Sequence, residues 1–257
     1  VSVFLPAEEV AKLVERWDGR ISLAAFNGPR SVVVSGEADA LEELVGWCEQ
    51  HEIRARTVPV DYASHSSHIE AIREQLAEAL APSRPVQGQI PLYSTAANDV
   101  FDGSELDAGY WYRSLRDPVG FEAATRALIA DGVSAFIEVS SHPVLTMAVQ
   151  ETVEESSADP AQVAVIGSLR RDDGGLQRFT TSLAELHVHG HSVDWRAHYA
   201  QAGGRRVDLP PYAFQRERFW LQGAGRVGDL SAAGLEDPGH PLLGAAVELP
   251  GGEGWIF

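Results

Sequence analysis

The sequence predicts an α/β fold in two parts: a split βαβ unit over residues 1–59, then the later strands and helices of a mostly parallel sheet. Three observations carry this. The first 59 residues read strand, helix, strand, strand, helix, strand. Apolar residues recur at helical spacing in 7–17, 37–49 and 67–80. Beyond residue 90 short apolar runs alternate with helical patterns, the mark of strands joined by crossover helices. With 257 residues and 44% hydrophobic content, the chain has enough material for one large domain or two small ones.

In order, strand 1–5 leads into helix 7–17, with Pro6 near the first turn, where a missing N–H costs nothing. Strands 21–26 and 31–35 are broken into a hairpin by Gly28-Pro29. Asn27 stands at the start of that hairpin, either as a turn residue or as a polar group lining a cleft. Helix 37–49 buries Leu41, Leu44, Val45 and Cys48 on one face, and strand 55–59 completes the unit. This βαββαβ order is that of a ferredoxin-like subdomain. Helix 67–80 carries Ile69, Ile72, Leu76 and Leu80, and Pro82-Ser-Arg-Pro85 ends it. Residues 90–95 read as a short buried strand, and 110–131 as two helical stretches parted at Asp117-Pro118. Strand 135–139 turns at 140–143 into a helix reaching about residue 154. After the polar break 156–160 come strand 163–166 and helix 177–189, which begin an α/β linker. Residues 222–239, rich in Gly, Ala and Asp, read as a flexible tether.

The bulk numbers exclude several classes. A net charge of −17 argues against nucleic acid and anionic membrane surfaces as partners. No apolar run reaches the ~18 residues of a membrane span, and no cleavable secretory start is present. A single cysteine, Cys48, excludes an internal disulfide framework and fits a reducing cytoplasm. The chain opens on one strand and stops inside another, so it is expected to be a piece truncated at both ends.

The stretch Val58-Pro-Val-Asp-Tyr-Ala-Ser-His-Ser-Ser-His-Ile-Glu70 places His65 at a strand-to-helix junction, where a side chain can be held rigidly and still face a cleft. Histidine titrates nearest neutrality and suits proton transfer to and from a nucleophile, although position alone favours a helix-capping or surface histidine. Tyr62-Ala63-Ser64-His65 resembles the tetrapeptide of acyltransferase domains in modular type I polyketide synthases. The resemblance extends through Asn27-Gly28-Pro29 and residues 31–36, then Tyr110-Trp111, Arg113, Leu115 and Pro118, then Ile137-Glu-Val-Ser-Ser-His-Pro-Val-Leu145. Leu209-Pro-Pro-Tyr-Ala-Phe-Gln-Arg-Glu-Arg-Phe-Trp220 looks like the segment closing the linker after such a domain.

That resemblance implies acyl transfer through a covalent serine ester, from a coenzyme A thioester to the phosphopantetheine arm of an acyl carrier protein. It implies no permanently held cofactor. His65 is implied as catalytic base, Tyr62, Ala63 and Ser64 as the residues that track the extender unit, and the Ser114 main-chain carbonyl as the group orienting the imidazole. His142 is a cleft-lining candidate, although His142-Pro143 fits a structural turn better. The implied layout is a ferredoxin-like subdomain (1–59), the late part of an α/β-hydrolase-like acyltransferase core (60–155), a post-acyltransferase linker (156–221), and a tether with the start of a dehydratase domain (222–257). The ketosynthase and dehydratase of the same polypeptide are then neighbours. The implied nucleophile, in a Gly-His-Ser-x-Gly elbow, and an arginine for the anionic substrate's carboxylate would lie upstream of Val1. In the resembled family, malonyl selection goes with His-Ala-Phe-His; here Ser64 leaves the space beside the histidine open, which implies a methylmalonyl unit.

Gly190-His-Ser-Val-Asp194 imitates the elbow but follows His65 and lacks the final glycine. His187, His189 and His191 suggest a metal site, yet no further ligand of suitable spacing accompanies them except Asp194; solvated histidines at a helix end fit better. His65 and His68 likewise have no visible third ligand. His240-Pro-Leu-Leu-Gly244 looks like the opening of a dehydratase rather than its catalytic motif, since Pro250 comes one residue too late. Rival readings are a non-catalytic interdomain scaffold and a metal-dependent hydrolase.

Overall fold

The computed structural model describes residues 1–157, 159–200, 207–217 and 230–257. Val1–Ala202 form one compact unit and Gly203–Phe257 a second.

The first unit opens with β1 (Ser2–Val3), α1 (Ala7–Val14) extended by a 3-10 turn to Trp17, β2 (Ile21–Gly28), β3 (Ser31–Gly36), α2 (Ala38–Gln50) and β4 (Ala55–Arg56). The strands lie in the order β2-β3-β1-β4 with every neighbouring pair antiparallel, so each βαβ crossover is split by a third strand. The period-3.6 faces of the two helices and the period-2 face of the sheet meet in a shared core. Val3, Val10, Val32, Leu44 and Cys48 are fully buried there. Strand β4 stops at Arg56, before Pro59, so Val58 and Val60 are exposed rather than paired.

Strand β2 is irregular in a way that places it. Its register against β3 shifts between Leu23 and Ala25 and again between Phe26 and Gly28, leaving Ala24 and Asn27 as extra residues. Asn27 therefore lies within the strand, and the turn falls at Pro29-Arg30. The outer edge of β2 bonds to Val119, in the connection between the helices over 108–116 and 121–130: Val119 N–H donates to the Ala24 carbonyl and Phe26 N–H to the Val119 carbonyl, both at 2.9 Å.

Beyond the sheet come a 3-10 turn (Ser67–Ile72) running into α3 (Arg73–Leu80), a hairpin of β5 (Leu92–Ser94) with β6 (Asp99–Phe101), α4 (Ala108–Arg116) and α5 (Phe121–Ala130). The run at 90–95 is not the buried strand its apolar residues suggest. Ile90 is 83% exposed, only Ser94 is buried, and β5 pairs antiparallel with β6 around Asn98 in the left-handed region. A short apolar run carries no record of its partner, and burial depends on that partner.

Then β7 (Ala135–Glu138) and β8 (Ala164–Gly167) pair in parallel, with α6 (Thr146–Ser156) as the crossover. Helix α6 buries Ala148, Val149, Thr152 and Val153, and Gly28 of β2 comes so close that a Cβ there would sit 3.1 Å from Ala148. Helix α7 (Leu176–Val188) is fastened to β8 by the Ser182 hydroxyl, which bonds the Gly167 and Ser168 carbonyls, and α8 (Trp195–Tyr199) follows. The second unit contains a 3-10 turn (Leu230–Ala233) and a ladder of β9 (Val247–Glu248) with β10 (Trp255–Ile256). Of the tether expected at 222–239, residues 222–229 lie outside the described residues, as do 218–220 of the linker-closing motif. Among the described residues no helix is long and apolar enough to cross a membrane.

Candidate active site

Proline 118 decides the geometry around His65. The residue before a proline is pushed out of the helical region, and Asp117 accordingly ends α4 with ψ 157°, turning its carbonyl off the helix axis. That carbonyl lies 2.8 Å from His65 Nδ1. Two positions earlier, the Leu115 carbonyl accepts the His65 main-chain N–H at 2.9 Å. Backbone and ring are thus held by the same short segment. The orienting carbonyl belongs to Asp117 and not to Ser114, which lies inside α4 where carbonyls run parallel to the axis.

A carbonyl oxygen can only accept, so Nδ1 carries the hydrogen and donates it. The neutral ring then keeps its lone pair on Nε2, the arrangement of a base whose orientation is set from behind. His65 itself sits at φ 57°, a left-handed conformation that histidine adopts more readily than most residues but that still needs support. The support comes from both sides. Asp117 N–H bonds the Arg113 carbonyl at 2.8 Å, and Gly120 N–H, just past Val119, bonds the Thr95 carbonyl at 2.8 Å. On the histidine's own side, the Ser66 hydroxyl donates to the Ala63 carbonyl at 2.7 Å and caps the 3-10 turn by accepting from His68 N–H at 3.3 Å. Arg116 adds an ion pair with Glu70 at 2.7 Å, a partly exposed contact of small energetic weight.

The preceding tripeptide lines up along the same turn. Tyr62 is 64% exposed, while Ala63 and Ser64 are half-buried beside the histidine. Asn27 is half-buried at the β2 register shift, next to the contact of Gly28 with α6.

His142 is placed differently. Its Nδ1 accepts the Arg171 N–H at 3.2 Å, so its tautomer is the reverse of the one at His65. Among the described residues no hydrogen bond joins Asn27 or His142 to His65. The group that organises the loop after β7 is one that sequence reasoning passed over. The Glu138 carboxylate accepts from the main-chain N–H groups of Val144 (2.8 Å), Leu145 (2.9 Å) and Thr146 (3.1 Å) and from the Ser140 hydroxyl (3.1 Å). It fills the N-terminus of α6, which has no capping side chain of its own. A glutamate eight residues before a helix gives no capping signal in sequence; only the strand-to-helix turn brings it back.

The three histidines at the end of α7 find separate partners. His189 Nδ1 bonds the Glu185 carbonyl (2.8 Å), His191 Nε2 the Ser134 carbonyl (3.2 Å), and His187 meets the edge of Trp195. Among the described residues no group of three potential ligands is placed to hold a metal ion.

The comparisons with known proteins agree on a family. The acyl transferase domain model matches residues 2–193. Polyketide synthase GfsE of Streptomyces halstedii is 51% identical over 98% of the chain, and erythronolide synthase EryA2 of Saccharopolyspora erythraea is 44% identical over all of it. In both cases the chain spans only 7% of the relative's length. The acyltransferase domain from module 8 of the salinomycin polyketide synthase superposes with a TM-score of 0.72 at 46% identity, covering 76% of this chain and 45% of that one. The mixed α/β fold is therefore that of the acyltransferase domains of polyketide synthases, and the chain belongs to the acyl transferase domain family of modular type I polyketide synthases.

Proposed function

We propose that the chain is the carboxy-terminal part of an acyltransferase that transfers an extender unit, methylmalonyl, from its coenzyme A thioester to an acyl carrier protein. The single observation that carries this reading is the His65 ring, held at Nδ1 by the Asp117 carbonyl so that Nε2 is the proton acceptor. The nucleophilic serine of the proposed Ser-His dyad lies outside this chain. In the first half-reaction His65 Nε2 takes the serine proton as the Oγ–C bond forms; the C–S bond then breaks, and the imidazolium returns the proton to the departing coenzyme A sulfur. In the second, His65 removes the proton of the phosphopantetheine thiol, sulfur attacks the acyl-enzyme, and serine leaves with the proton.

The four-stranded unit is read as the ferredoxin-like subdomain that caps the cleft, and the parallel pair β7-β8 as the late part of the α/β-hydrolase-like core. Tyr62, Ala63 and Ser64 set the substrate: the small Ser64 side chain leaves room for an α-methyl group, where one methylene is worth ~1–3 kcal/mol of discrimination. Ketosynthase and dehydratase domains are the proposed neighbours in the same polypeptide, with the dehydratase beginning near His240. The workplace is the cytoplasm.

The test is single-turnover acylation of the complete protein. His65→Ala is expected to slow acylation ~100- to 10,000-fold with substrate affinity little changed; an undiminished rate would refute the role. Competition between malonyl and methylmalonyl thioesters reads specificity as a ratio of kcat/KM, and a malonyl preference would refute that part.

A further inference from the structure

Ser66 follows the base and is 1% exposed, although its only function by residue type would be to start a helix at the surface. Its hydroxyl is used twice. It donates to the Ala63 carbonyl and accepts from His68 N–H, closing a turn that contains Ser64 and the left-handed His65. Without the hydroxyl, which is buried, the half-buried Ala63 carbonyl and the His68 N–H would lose their partner within the turn. The turn would then have no internal closure, and a left-handed histidine would have only its bonds to Leu115 and Asp117 to hold it.

We propose that Ser66 is a positioning residue that locks Ala63, Ser64 and the base His65 into one rigid turn, so that substrate selection and proton transfer share one frame. This inference rests on the function proposed above. A side chain that keeps Nε2 on target acts on the chemical step more than on binding, because small misplacements of a reacting group cost rate steeply.

The experiment uses the complete protein with Ser66→Ala, Ser66→Cys (similar volume, weak hydrogen bonding) and Ser66→Thr (hydroxyl retained), together with His65→Ala and the Ser66→Ala/His65→Ala pair. Leu44→Ala, remote from the turn, controls for plain loss of stability. Steady-state kinetics with methylmalonyl and malonyl thioesters are read beside thermal melts. The expected result is a kcat reduced ~10- to 100-fold in Ser66→Ala and Ser66→Cys, with KM changed less than ~3-fold and the malonyl to methylmalonyl ratio moved toward unity. Ser66→Thr should recover most of kcat, and Ser66→Ala should cost nothing further in the His65→Ala background, since residues acting as one unit are not additive. A wild-type kcat in Ser66→Ala or Ser66→Cys, or a full additional loss on top of His65→Ala, would overturn the proposal. So would loss of the folded state in both hydroxyl-free variants, which would make Ser66 a residue of stability alone. If His65→Ala itself retains full activity, the function proposed above fails; if it is inactive while Ser66→Ala is unaffected, only the present inference fails.

Discussion

Removing the Glu138 carboxylate should loosen the strand-to-helix turn after β7. The structure shows what is lost: three main-chain N–H groups at 2.8–3.1 Å and the Ser140 hydroxyl at 3.1 Å. A hydrogen bond to a charged group contributes ~1.5–3 kcal/mol, but these four share one carboxylate and a partly solvated site. Losing an ordinary helix N-cap costs ~0.5–2 kcal/mol. Glu138→Ala, which leaves three amides without an acceptor, is therefore expected to cost ~2–4 kcal/mol. Glu138→Gln keeps one acceptor oxygen and should cost about half as much. Urea unfolding of the complete acyltransferase domain measures both, as a lower midpoint at constant slope. The reasoning fails if Glu138→Ala costs under ~0.5 kcal/mol, or if the two variants rank in the opposite order.

Leu44 is fully buried between α2 and the sheet, so Leu44→Ala should cost ~2–5 kcal/mol in the same unfolding measurement; a loss below ~1 kcal/mol would mean the core collapses around the gap. Gly36→Ala should also destabilise, because the new Cβ would fall 2.1 Å from the Arg20 carbonyl oxygen, a clash with backbone that cannot rotate away; unchanged thermal stability would contradict the close approach. The Arg20 guanidinium, and secondarily the Ala40 N–H, hold the Asp39 carboxyl below its usual range. A depressed carboxyl contributes stability above its unfolded value and loses that contribution as pH falls through the folded one. The difference in urea midpoint between the unaltered protein and Asp39→Asn should therefore be present at pH ~7 and shrink below pH ~4; a difference that grows on acidification would reverse the sign argued here.

The first 56 residues were legible because their periods are clean and each helix buries a continuous face. Residue positions along β2 were less so. It carries two extra residues against β3, Ala24 and Asn27, and bonds Val119 on its other edge, and a single strand's pattern does not announce two partners. The four apolar residues over 67–80 predict one helix, yet the segment divides into a 3-10 turn and α3, with Ile69 buried and Ile72 exposed. At the candidate site, family resemblance singles out His65 and its tripeptide but says nothing of their geometry. The segment Asp117-Pro118 was seen as a helix break; the same proline rule also turns the Asp117 carbonyl outward, a step that periodicity alone does not supply. The bonds of Ser66 and Glu138 escape sequence reading for a common reason: most of their partners are main-chain groups, and main-chain partners leave no trace in residue types.

The two hydrogen bonds between β2 and Val119 tie the posture of the small sheet to the proton chemistry of the imidazole. Only Pro118 separates Val119 from the carbonyl that fixes the ring's tautomer, and proline, with its locked φ, is a poor shock absorber. A sheet that swings outward must either break both main-chain bonds or drag the Asp117 oxygen off Nδ1. In the second case the ring would lose the acceptor that keeps its hydrogen on Nδ1 and its lone pair on Nε2.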